Sequence, residues 1–378
     1  MKKSIFLLAA FALLAASCAK TELVSSGALS SQKGIGFSAY TAKPTKAAQE
    51  DVTTSNLTSF QVSAIGHGAV YFDNVTFEKG TTVWESDPLY FWPAYALDFY
   101  AYNTPEKGTF TRDITTSGQT LKFEPSKTLA EQEDLVAARA IGKTESNNNA
   151  KSAIELTFNH YLTQLVVNAK CSNTGYTVVV DSVKITNLAG EGTYSFSTEK
   201  MVATPGLANS TSSTDYGSKF NSKTLSSSPT EVMSDAGTGK WYLIPQTVIP
   251  WKRVSTESTE SATNEMTNAS HGTYLALKVK ITTAGGSAVY PYSGSESAWM
   301  AVPVPSQLEF VQGKKYNVTV DFFSSTGNGA GYVDPEKPGE LDGNTGTDDS
   351  GKKIIGGAIK FDATVSGWGD AVDITISL

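Results

Sequence analysis

Residues 274–281 read Tyr-Leu-Ala-Leu-Lys-Val-Lys-Ile. Successive side chains of an extended chain point to opposite faces, so Leu275, Leu277, Val279 and Ile281 share one side and Tyr274, Ala276, Lys278 and Lys280 the other. The stretch reads as a strand with one wet face. The same device recurs along the chain. Ile35, Phe37 and Ala39 alternate with Gly36, Ser38 and Tyr40, and Val318, Val320 and Phe322 with Thr319 and Asp321. At the far end Val372, Ile374, Ile376 and Leu378 alternate with Asp373, Thr375 and Ser377. Gly, Asn, Ser and Pro separate these short runs, as turn formers do. Helical spacing is scarce; the best stretch is Leu129 to Ala140, where Leu129, Leu135, Val136 and Arg139 suit two or three turns of one short helix. The expected class is all-β, built of β-sandwiches.

The two ends of this pattern carry different signals. Lys2 and Lys3 precede an apolar run, Ile5 to Leu14, that is too short to span a bilayer. Leu14-Ala15-Ala16-Ser17-Cys18 follows, with small residues before a cysteine. Residues 1–17 are therefore expected to be a lipoprotein signal, leaving Cys18 as the lipidated first residue of an outer-membrane, surface-exposed protein. Residues 18–34, Ser-rich from Thr21 to Gln32, form a tether. Polar Glu145-Ser146-Asn147-Asn148-Asn149 marks a division between an N-terminal β-sandwich domain over 35–147 and a C-terminal one over 148–378. Thr204 to Gly239, Val254 to Gly272 and Gly327 to Lys353 are rich in small and polar residues and are expected to be loops.

Thirty Lys and Arg stand against 37 Asp and Glu, a net charge of −7. An acidic chain without a basic run has no electrostatic footprint for nucleic acid. It has two cysteines; with Cys18 acylated, Cys171 has no partner for an intrachain disulfide and reads as a small buried hydrophobe. A hydrolase needs a nucleophile, a base and a group that orients the base. His67 falls in a Gly-flanked turn, His160 in a strand-like run and His271 in a Ser-rich loop, with no motif around any of them. Asp342-Gly343-Asn344-Thr345-Gly346-Thr347-Asp348-Asp349 fails the EF-hand template, because Gly346 stands where a ligand is needed. No cofactor, metal or enzymatic role is expected. Trp84 and Trp92 lie among strand residues and are assigned to packing. Trp251, beside Pro250, and Trp299 are the candidates to stack on a sugar ring, should the chain instead be a monomeric outer-membrane lipoprotein that binds glycans through loop aromatics. Asp181-Ser182-Val183 fits a short O-glycosylation pattern.

Taken in order, several of these segments resemble the fimbrillin-like (type V pilus) proteins of Gram-negative bacteria. They are the cysteine at 18 followed closely by the strand Ile35 to Ala39, the aromatic stretches Leu89-Tyr90-Phe91-Trp92-Pro93 and Leu97-Asp98-Phe99-Tyr100-Ala101-Tyr102, and Asp134-Leu135-Val136-Ala137-Ala138. Further along come Leu156 to Leu162, Val183-Lys184-Ile185, Tyr242-Leu243-Ile244-Pro245-Gln246, Gly313-Lys314-Lys315-Tyr316 and Trp368. The resemblance implies two tandem transthyretin-like β-sandwich domains and a pilus subunit or accessory subunit that supports adhesion. It also implies that a surface protease removes the lipidated segment with the first strand, Ile35, Phe37 and Ala39, and that a strand of another subunit fills the groove. The family's cleavage follows an arginine in the next loop. This chain has none before Arg112, and Lys43 and Lys46 are the candidates there. If no cleavage occurs, the protein stays lipid-anchored. Val372, Ile374, Ile376 and Leu378 form the candidate donor strand.

Overall fold

The computed structural model describes residues 34–41, 51–53, 55–81, 83–146, 153–252, 271–293, 296–306, 308–324, 331–337, 351–354 and 359–367, with backbone alone at 374–376. The strands of the first part are β1 (Phe37–Thr41), β2 (Ser59–Gly66), β3 (Ala69–Lys79), β4 (Trp84–Glu85), β5 (Leu97–Tyr102), β6 (Thr109–Ile114), β7 (Gln119–Glu124), β8 (Val136–Lys143) and β9 (Ile154–His160). There follow β10 (Thr163–Cys171), β11 (Tyr176–Leu188), β12 (Gly192–Ser195), β13 (Lys200–Ala203), β14 (Thr214–Thr224), β15 (Thr230–Glu231), β16 (Trp241–Leu243) and β17 (Gln246–Thr247). The last are β18 (Tyr274–Thr283), β19 (Ala288–Tyr290), β20 (Ala298–Pro303), β21 (Glu309–Phe310), β22 (Lys314–Phe322), β23 (Tyr332–Val333), β24 (Ile359–Gly367) and β25 (Ile374–Ile376). The protein is all-β.

Seven strands, β1-β4-β3-β2-β5-β8-β9, form a sheet that closes on itself. Alternate residues point inward: Val62 and Ala64, Leu97, Phe99 and Ala101, and Val136, Ala138 and Ala140 share its core with Phe37. The residues between them point outward. Ile65, Tyr100, Tyr102 and Ala137 pack beneath the four-stranded sheet β13-β12-β7-β6. Two six-stranded sheets, one built on β15-β10-β22-β24-β25 and one on β14-β11-β18-β20-β23, enclose the third and largest core. Such sheet-on-sheet burial is the sandwich solution to strands with one apolar face. Strand pairing runs across the division expected at 147/148: β9 pairs with β1 and β8, and β12 with β7.

Three expectations are corrected. The helix over 129–140 is a single 3-10 turn, Leu129–Glu131, and Val136–Lys143 is β8. Val136 and Ala138 face one core and Ala137 the other, so the apolar residues at the start of β8 run together and imitate helical spacing. The expected loop 204–239 contains the 11-residue β14, paired along β11 from Val179↔Thr224 to Leu188↔Thr214. Lys219, Asn221, Ser222 and Thr224 are exposed at a sheet edge, where polar residues cost little. Finally, the polar face of β18 starts only at Lys278, because Tyr274 and Ala276 are buried too.

Candidate assembly site

Among the described residues, strand β1 alone stands between β4 and β9 in the closed sheet. On one side it runs parallel to β9 in a continuous register, Phe37↔Ile154 to Thr41↔Phe158. On the other it meets β4 at the single pair Phe37↔Trp84. Upstream, the Ile35 N–H donates to the Tyr90 carbonyl at 2.7 Å, and the Ile154 N–H donates to the Gly36 carbonyl at 2.8 Å. Ile35, Phe37 and Ala39 are buried, and Tyr40 points out, 52% exposed. Phe37 is the centre of an aromatic cluster. Its ring meets Phe77 at 4.7 Å, Phe99 at 5.3 Å and Phe60 at 6.0 Å, each edge to face, the arrangement that ring quadrupoles favour. Full burial of one such side chain contributes about 1.5–3 kcal/mol. Trp84 (buried) and Trp92 (half-buried, against Phe99 at 5.9 Å) pack in this core as expected.

Cys18, Lys43 and Lys46 lie outside the described residues. Asp51 stands in a buried polar network whose members are far apart in the sequence. Asp51 Oδ1 accepts hydrogen bonds from Lys240 Nζ at 2.6 Å, the Tyr242 hydroxyl at 2.6 Å and Gln164 Nε2 at 2.8 Å. Burial, followed by the nearby carboxylates of Asp134 and Asp51, pushes the Tyr242 hydroxyl well above its ordinary pKa. Beside it His160, the last residue of β9, holds Asp134 Oδ2 through Nδ1 at 2.6 Å. Burial alone would lower the His160 pKa, but the attraction and hydrogen bond of Asp134 outweigh it and the value is raised. Nothing in the sequence around Lys240 marks this network, because the burial that makes a cation demand a partner appears only in the fold.

The candidate donor strand is seen only in part. Backbone of Ile374–Ile376 forms β25, paired to β24 through Ala363↔Ile376, Thr364↔Thr375 and Val365↔Ile374, at the edge of its sheet. Val372 and Leu378 lie outside the described residues, as does the acidic stretch 342–349. The glycan candidates change character. Trp251 is 2% exposed, packed edge to face on Tyr274 at 6.1 Å and Tyr332 at 5.6 Å, so no sugar can stack on it; its apolar ring fills the large core. Trp299 is half-buried, with the ammonium groups of Lys184 and Lys337 at 5.4 and 5.6 Å from its ring. Ser182 is buried in β11 and donates its hydroxyl to Asp181 Oδ1 at 2.8 Å. Cys171 is a buried free thiol whose pKa burial pushes up. Among the described residues, no three His, Cys, Asp or Glu side chains gather as metal ligands, and no helix is long and apolar enough to cross a membrane.

The sequence profile of the fimbrillin-like family matches residues 25–331, most of the chain. The chain belongs to that family. No curated protein sequence matches it. Among solved structures, a fimbrial protein from Bacteroides vulgatus is similar with a TM-score of 0.54 at 16% identity, over 89% of this chain and 99% of that one, and shares the fold. A candidate cell adhesion protein from Bacteroides uniformis follows with a TM-score of 0.46 at 15% identity, over 89% and 98%. The fimbrial anchor protein Mfa2 from Porphyromonas gingivalis has a TM-score of 0.32 at 11% identity, over 78% and 92%. As a fimbrillin-like protein the chain is a fimbrial, cell-surface protein, structural rather than enzymatic.

Proposed function

We propose that this fimbrillin-like protein is a pilus subunit or accessory subunit that assembles by β-strand addition in a filament supporting adhesion. It travels to the outer membrane as a lipoprotein acylated at Cys18. Cleavage at Lys43 or Lys46 then releases the segment that ends in β1, and a strand of another subunit takes its place. The observation that carries this reading is the position of β1, which pairs with both β4 and β9 and closes the sheet between them. Its loss leaves unpaired backbone groups along β9 and an apolar trough lined by Phe60, Phe77, Trp84 and Phe99. Both defects are costly in water, and both are repaired by an extended segment with alternate apolar residues. Val372, Ile374, Ile376 and Leu378 have that period.

The test is a full-length protein carrying one site-specific protease site between residues 42 and 50. Cutting is expected to yield oligomers on size exclusion. A protein that is cut to completion and stays monomeric would rule out assembly by this route.

A further inference from the structure

A cut between β1 and β2 can release β1 cleanly only if the chain beyond the cut stays where it is. The network around Asp51 bears on this. Its three side-chain partners all lie beyond residue 148: Gln164 on β10, Lys240, and Tyr242 on β16. None belongs to β1. Asp51 and Lys240 are both buried, so detaching the carboxylate would take a buried ammonium away from its counter-charge. Lys315, half-buried nearby, also feels the attraction of Asp51.

The residues after Asp51 are fastened to one another. The Asp51 carbonyl accepts Asn56 Nδ2 at 2.9 Å, the Thr53 N–H donates to Asn56 Oδ1 at 2.6 Å, and the Leu57 N–H donates to the Thr53 carbonyl at 2.8 Å. Leu57 is buried in the core of the closed sheet and leads into β2.

We propose that Asp51 is a positioning residue, a clamp that fixes the start of the retained chain to β10 and β16 so that cleavage frees β1 alone. The proposal rests on the strand-removal reading and names the residue that keeps the mouth of the groove in place. One anion serves Lys240, Tyr242 and Gln164 together.

Hydrogen exchange read by mass spectrometry on the full-length cut protein tests it. Peptides over 51–60 are expected to keep their protection within about twofold after cutting, while those over 34–41 lose theirs. In the cut protein Asp51→Asn, which keeps the shape and removes the charge, is expected to lower protection over 51–60 about a hundredfold with β10 and β16 unchanged. If that variant does not fold, Tyr242→Phe removes one bond and is expected to lower it about tenfold. Loss of protection over 51–60 in step with 34–41, or full protection in the folded variant, would overturn the clamp. Protection over 34–41 that survives cutting would instead count against strand removal, while the variant still reports on the clamp.

Discussion

Strands β1 and β25 stand near opposite ends of the chain and are held in different ways. Strand β1 is inserted between two strands and closes a sheet, with Phe37 at the centre of three other aromatic rings. Strand β25 lies on the outside of β24, paired along one edge. A strand with two neighbours leaves a gap when it departs; a strand with one neighbour leaves only a new edge. Under the proposed strand addition, the acceptor site would be the place of β1 and the donor would be the strand of residues 372–378. The asymmetry within β1 is instructive too. Its continuous register lies with β9, whereas β4 touches it at one pair.

The comparison can be broken first at Phe37. Phe37→Ala removes the centre of the cluster and is expected to lower the stability of the intact protein by about 3–5 kcal/mol. Tyr40→Ala, on the outward face of the same strand, is expected to change it by less than about 0.5 kcal/mol. Urea denaturation measures both. Equal costs would mean that β1 is not held by its inward face.

A smaller effect comes from His160, at the end of the strand that carries β1. Its pKa is raised in the folded protein, so the stabilisation from Asp134 is fully present below the unfolded value of 6.5 and is lost as pH rises through the folded value. Stability is expected to fall over this window above pH 6.5, and His160→Gln is expected to flatten that slope. An unchanged slope in His160→Gln would assign the pH dependence elsewhere. The smallest effect belongs to β25. Deleting residues 372–378 is expected to alter the stability of the intact protein by less than about 1 kcal/mol, as terminal edge structure is only locally held. A loss as large as that of Phe37→Ala would show that the two ends are equally integral.

Much of this was legible in the sequence wherever one face of a strand is wet. The alternation of Ile35, Phe37 and Ala39 marked the buried face of β1 because Ser38 and Tyr40 between them are polar or tolerant of solvent. The same rule failed for β8, whose first three residues are buried in succession on both faces, so that its apolar run carries no period that separates strand from helix. It failed for β14 for the opposite reason, since an edge strand rich in Ser, Thr and Lys looks like a loop. Trp251 looked like a loop aromatic because its partners, Tyr274 and Tyr332, are far away in sequence. The clamp was illegible on the same ground: Asp51 and Lys240 are 189 residues apart, and neither sits in a motif.

The central claim is that β1 is the replaceable strand of this fimbrillin-like protein. It is tested most directly by the mass of the cut protein after incubation with a synthetic peptide spanning residues 372–378. The account predicts that, under native conditions, the fragment ending in β1 is lost and one peptide is gained. A complex that retains the fragment and binds no peptide would contradict it.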